Sequence, residues 1–129
     1  MKIAVIGTGY VGLVSGTCFA EKGNYVKCVD IDEKKVEQMR AGLVPIYEPG
    51  LKPLFDRSIS EGRLTFTTDL ESSVRDAKVI FLSLPTPPGA DGQADLTAVN
   101  KVAEQLGKII SNYKVIVNKS TVPVGTVDR

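Results

Sequence analysis

The chain has no histidine. A histidine base, a serine–histidine pair and a cysteine–histidine pair are therefore all excluded within these residues. Cysteine is nearly as scarce, with Cys18 and Cys28 alone and no metal-ligand spacing between them. Both read as small buried thiols, because free cysteine is among the most buried residue types. An excess of charge is missing too. The 16 Lys+Arg and 15 Asp+Glu residues leave a net charge of +1 and are mixed along the chain. Such a balance offers no basic face to nucleic acid and no amphipathic basic helix to a membrane surface. No apolar run approaches the ~20 residues that span a bilayer. The N-terminus opens on a strand pattern without a signal-peptide layout, for which a cytoplasmic location is the expectation. The 129 residues suffice for one domain with a real core. Repeats and low-complexity segments are absent.

The most informative stretch comes first. Ile3-Ala4-Val5-Ile6 reads as a buried strand, and Gly7, Gly9 and Gly12 follow at G-x-G-x-x-G spacing before a helical pattern. Gly7 permits a tight turn out of the strand. Gly9 presents no side chain to a pyrophosphate, and Gly12 lets the helix lie close against the sheet. The first-turn N–H groups and the positive end of the helix dipole then face the phosphates. A second strand, Tyr25-Val26-Lys27-Cys28-Val29, ends in Asp30, about 20 residues beyond the glycines, where a dinucleotide fingerprint places an acid. That carboxylate can accept from both hydroxyls of an adenosine ribose and repels a 2′-phosphate, favouring NAD over NADP. Lys34 and Lys35 give a counter-reading, as bases that attract a 2′-phosphate or as a plain exposed helix face.

Taken in order, the first helix is expected from Gly12 to about Lys22, with Val11, Val14, Cys18 and Phe19 facing the sheet and Gly16 allowing close packing. Gly23 caps it. Asp32 caps a second helix from about Glu33 to Ala41, ended by Gly42. Leu43 to Gly50 is irregular, and Pro49 suits the first turn of a further helix to about Glu61. Leu64-Thr65-Phe66-Thr67 reads as a short strand, and Asp69 caps a helix through Arg75. Lys78 to Leu84 forms a buried parallel strand, ending in the polar loop from Pro85 to Gly92. Asp95 opens an amphipathic helix with Leu96, Val99, Val102, Ala103, Leu106 and Ile110 on its apolar side. A last strand, Lys114 to Lys119, ends in a turn from Ser120 to Thr126. Strands alternating with helices predict an α/β fold, a Rossmann-type doubly wound parallel sheet with helices on both faces, in the order 3-2-1-4-5. The cofactor crevice is expected between strands 1 and 4.

Four motifs appear in succession: Gly7-Thr8-Gly9-Tyr10-Val11-Gly12; Ile46-Tyr47-Glu48-Pro49-Gly50-Leu51; Thr86-Pro87-Pro88 with Asp91-Gly92 and Ala94-Asp95-Leu96; and Lys119-Ser120-Thr121-Val122-Pro123-Val124-Gly125-Thr126. Together they resemble the N-terminal domain of the UDP-glucose/GDP-mannose dehydrogenase family, over the whole chain. The second and fourth motifs are most similar to its UDP-glucose branch. The resemblance implies oxidation of a nucleotide sugar's 6-hydroxymethyl to a carboxylate with two NAD⁺. It implies that the backbone at Tyr10 and Val11 binds pyrophosphate and that Asp30 binds the adenosine ribose. It places Lys35 near that ribose and Thr86 at the cofactor. It assigns Thr121 to the cofactor site and to positioning a water beside the reacting carbon.

Pro85 stands where relatives often carry glycine, so a backbone N–H is missing there. The family's catalytic cysteine, its charge-stabilising lysine and asparagine, and a glutamate acting on the water or thiohemiacetal have no counterpart in these residues. Neither Cys18 nor Cys28 matches the nucleophile. The expectation is a cofactor half that binds NAD without turnover, its complete enzyme a homodimer taking UDP-glucose. Two other readings stay open: a stand-alone NAD-binding sensor, and the cofactor domain of another dehydrogenase.

Overall fold

Five short apolar strands build the centre. The computed structural model describes residues 1–44, 49–84, 97–110 and 113–118. In it, β1 (Lys2–Ile6), β2 (Tyr25–Val29), β3 (Leu64–Thr67), β4 (Val79–Leu82) and β5 (Val115–Asn118) form one parallel sheet in the order β3-β2-β1-β4-β5. This is the order the sequence predicts. Ile3 lies opposite Val26 and Val79, and Val5 opposite Cys28 and Phe81. Side chains alternate across a strand, so β1 sends Ile3 and Val5 to one face and Ala4 and Ile6 to the other.

Each face has its own core. Three helices, α1 (Tyr10–Glu21), α2 (Glu33–Arg40) and α3 (Leu51–Ser60), supply Leu13, Met39 and Phe55, which pack with Ile3, Val5, Val26, Cys28, Leu64 and Phe66. On the opposite face α4 (Leu70–Asp76) and α5 (Thr97–Ile109) bring Val74 and Leu106 against Ala4, Ile6, Val29, Ile80 and Leu82. Each fully buried Leu or Phe contributes about 1.5–3 kcal/mol of burial free energy. The doubly wound expectation is thereby met.

The sheet-facing side of α1 departs from the predicted one. Leu13, Gly16, Thr17 and Ala20 are buried there, whereas Val11 and Cys18 are exposed. The helix is apolar all round, so hydrophobic spacing alone does not select a face. Small residues select it instead, because they let the helix approach. A methyl built on Gly16 would stand 3.0 Å from Cys28 Sγ. Cys18 is thus a surface thiol, and only Cys28 is the buried one, its pKa pushed up to about 12 by desolvation.

Helices α2 and α4 begin where their caps predict, while Asp95 and Leu96, expected to open α5, lie outside the described residues. The Asp32 side chain accepts from the Lys35 N–H at 3.2 Å, and Asp69 accepts from the Ser72 N–H at 3.2 Å. Pro49 is not in a helix: α3 starts at Leu51 behind Gly50, which has a left-handed φ of 82°, and its first-turn proline is Pro53. Ala103 is exposed on α5, where Val99 and Leu106 carry the burial.

Candidate functional site

The glycine turn leaves β1 at its carboxyl end and is wedged between its neighbours. Gly7 has a φ of 100°, a left-handed value that favours glycine, and its N–H donates to the Val29 carbonyl at 2.8 Å. On the other side the Ser83 N–H donates to the Ile6 carbonyl at 2.8 Å. A Cβ on Gly7 would lie 2.3 Å from the Ser83 carbonyl oxygen, and one on Gly12 would lie 2.0 Å from the Gly7 carbonyl oxygen. Both glycines are required by the protein's own backbone.

Gly9 is different. It has a φ of −71°, and a Cβ there would meet nothing within 4 Å. Packing among the described residues does not require glycine at this position, and a Cβ there would point into open space. Gly9 is also the N-cap of α1, and no side chain caps that helix or places an acid in its first turn. By contrast, α2 and α4 are capped by Asp32 and Asp69 and carry Glu33 and Glu71 in their first turns. The first turn of α1 thus brings no acidic side chain of its own to the helix's positive end, an arrangement that suits a phosphate group.

Asp30 stands one residue past β2, beside this turn. Its Oδ2 accepts from the Thr8 N–H at 3.2 Å and from the Thr8 hydroxyl, and its Oδ1 accepts from the Asp32 N–H at 3.0 Å. Lys35 Nζ lies 3.7 Å from Oδ2. Burial raises the carboxyl pKa, but the Thr8 and Asp32 hydrogen bonds and the Lys35 charge outweigh it and hold Asp30 below its ordinary 3.8. Asp30 thus remains an anion and an acceptor at neutral pH. The Lys35 charge is turned onto Asp30, while Lys34 is exposed.

Six of the nominated residues, Gly7, Gly9, Tyr10, Val11, Gly12 and Asp30, gather at this carboxyl edge, with Lys35 beside Asp30. Tyr10 and Val11 are exposed in the first turn of α1. Thr86 and Thr121 lie outside the described residues, as does Pro85. One residue escaped the sequence reading: Thr8, fully buried between the glycines and bonded to Asp30. Its signal was a β-branched hydroxyl inside a glycine motif, visible but without an evident partner. Among the described residues, no group of three or more His, Cys, Asp or Glu side chains is placed to hold a metal ion. A cleft of about 200 Å³ opens at the opposite, amino edge of the sheet, lined by Lys2, Tyr25, Lys27, Arg63 and Asp76. Three of its charges are engaged internally: Lys27 pairs with Asp76 at 3.1 Å, and Arg63 bonds Ala20 O at 2.8 Å and pairs with Glu61.

The sequence model of the UDP-glucose/GDP-mannose dehydrogenase family, NAD binding domain, matches residues 1–129. The chain belongs to that family. It is 57% identical over 125 residues to a UDP-glucose 6-dehydrogenase of Bacillus subtilis, covering 97% of this chain and 27% of that protein. A UDP-glucose 6-dehydrogenase of Pseudomonas aeruginosa is 51% identical over 129 residues, covering 100% of this chain and 28% of that protein. Among solved structures, a ternary complex of GDP-mannose dehydrogenase from Pseudomonas aeruginosa superposes with a TM-score of 0.95 at 37% identity, over 99% of this chain and 30% of that one. A UDP-glucose dehydrogenase from the archaeon Pyrobaculum islandicum gives 0.91 at 41% identity, over 96% and 29%. The chain thus spans a little over a quarter of the length of the curated relatives it matches, 27% and 28% for these two. It is an NAD-binding domain of the nucleotide-sugar dehydrogenase type. Among the described residues, no helix is long and apolar enough to cross a membrane.

Proposed function

We infer that this chain is the cofactor-binding portion of a UDP-glucose 6-dehydrogenase, which oxidises UDP-glucose to UDP-glucuronate with two NAD⁺. The observation that carries the cofactor half is the pairing of an open Gly9 with an anionic Asp30 at one sheet edge. The two relatives above 50% identity support the choice of sugar.

In this reading each residue has a task. The α1 N-terminus and the backbone at Gly9, Tyr10 and Val11 take the pyrophosphate. Asp30 accepts a hydrogen bond from a hydroxyl of the adenosine ribose, with Lys35 beside it. Thr86 contacts the cofactor, and Thr121 positions the water beside the reacting carbon. When bound, NAD⁺ accepts hydride from the sugar's C6, and the protein supplies binding, orientation and electrostatics. Lacking the family's nucleophile, the 129 residues bind NAD⁺ without turnover.

Two assays test this. Calorimetry on the chain should show NAD⁺ binding, and NADH absorbance at 340 nm should stay flat with UDP-glucose added. A longer polypeptide containing this chain should then reduce NAD⁺ with UDP-glucose in preference to GDP-mannose. Preference for GDP-mannose would move the protein to another branch of the family. NADH formation by the 129 residues alone would refute the division of labour.

A further inference from the structure

Thr8 is 1% exposed, and its hydroxyl is one of few buried polar groups near the glycine turn. A hydroxyl this deep needs a partner, and it has one: Thr8 donates both its N–H and its O–H to Oδ2 of Asp30, 22 residues away. An ionised carboxylate offers about four acceptor positions. Thr8 N–H, Thr8 O–H and Asp32 N–H take three of them, the last on Oδ1. Among the described residues one position, on Oδ1, is left for a ribose hydroxyl. Lys35 Nζ, at 3.7 Å from Oδ2, is the charged group that faces this carboxylate among the described residues.

The consequence concerns what Asp30 is prevented from doing. To admit a 2′-phosphate, the carboxylate would have to swing away and release Lys35 onto the phosphate. Swinging away would strand the Thr8 hydroxyl in a dry site, where an unpaired donor is costly. The β-branched side chain cannot easily turn to find another acceptor. We propose that Thr8 is a specificity-determining positioning residue: it latches Asp30 to the glycine turn, so that the site keeps a fixed anion against the ribose 2′ position and rejects NADP. This rests on the NAD-binding reading above, and it assigns the discrimination to the pair rather than to Asp30 alone.

The test uses the 129-residue chain with Thr8→Val, which removes the hydroxyl at nearly constant volume, and Thr8→Ser, which keeps it. Thr8→Ala replaces the valine variant should that one fail to fold. Calorimetry with NAD⁺ and with NADP⁺ gives the affinity ratio. Loss of one hydrogen bond to a charged group should cut the preference for NAD⁺ by about tenfold in Thr8→Val, and Thr8→Ser should restore it. A second readout needs no cofactor: carboxyl carbon NMR should show Asp30 titrating at higher pH in Thr8→Val and unchanged in Thr8→Ser. An unchanged affinity ratio, or equal losses for both cofactors, overturns the proposal even if the titration moves. An unmoved titration overturns the latch itself. If the wild-type chain binds neither cofactor, the NAD-binding reading fails and takes the specificity role with it, and a shifted Asp30 titration then leaves a structural latch only.

Discussion

Replacing Gly9 with alanine separates what the fold needs from what the ligand needs. A Cβ on Gly9 meets nothing within 4 Å, and its φ of −71° with ψ of −166° is open to alanine. Two small effects then oppose each other. Alanine is a poorer N-cap than glycine, costing about 0.5–1 kcal/mol, while its stiffer unfolded chain returns about 0.4–1 kcal/mol. The net change should lie within about 0.5 kcal/mol, a shift in Tm of about 2–3 °C at most. In the proposed binding mode the added methyl stands where the pyrophosphate must come close, and crowding of that kind costs about 1–3 kcal/mol, or roughly 5- to 150-fold in Kd. Thermal melts followed by circular dichroism and NAD⁺ calorimetry on the same samples read both quantities. Gly12→Ala is the control, because its Cβ would stand 2.0 Å from the Gly7 carbonyl oxygen and 3.1 Å from Ser83 Cβ. It should lower Tm by about 5 °C or more through backbone displacement. Unchanged NAD⁺ affinity in a well-folded Gly9→Ala would refute the pyrophosphate role. A large fall in its Tm would show a packing role that the geometry denies.

Three further outcomes follow from particular side chains. Native protein should react with a thiol reagent at Cys18 only, and Cys28 should react after denaturation, since it is buried with a pKa near 12; equal rates at the two would contradict the packing of α1. Asp30 has a folded pKa below its ordinary 3.8, so its stabilising contribution is present above the unfolded value and is lost as pH falls through the folded one. Urea melts should therefore show Asp30→Asn flattening the acid limb below about pH 4, and an unaltered slope would contradict the Thr8–Asp30–Asp32 network. Phe55 is fully buried with its ring 5.5 Å from that of Phe66, so Phe55→Ala should cost about 3–5 kcal/mol in urea unfolding, whereas a cost under about 1 kcal/mol would place α3 off the core.

The strand positions and the Asp32 and Asp69 caps were legible because they rest on local signals, and the sheet order because strands alternating with helices under right-handed crossovers lead to it. Asp32 and Asp69 announce their helices, and the glycines at 7, 9 and 12 announce the turn. The face of α1 was not legible, because a helix apolar on every side carries no periodic signal, and close approach rather than hydrophobicity decides what it buries. Gly16 against Cys28 makes that choice, leaving Cys18 and Val11 outside. Pro49 was assigned to a first turn that Pro53 occupies, since a left-handed Gly50 stands between. In the site, Asp30 was readable from its distance to the glycines, but its partner was not. The Thr8 contact spans 22 residues of sequence and exists only once β1 and β2 pair side by side.

In the proposed binding mode the carboxyl edge of β1 and β2 receives NAD⁺. Titrating the isotope-labelled chain with NAD⁺ and following backbone amide shifts by NMR tests it most directly. The predicted perturbations centre on Gly9, Tyr10, Val11, Gly12 and the amides from Asp30 to Asp32. Shifts confined instead to Lys2, Tyr25 and Arg63, at the cleft on the amino edge, would contradict the account, as would no shifts at all.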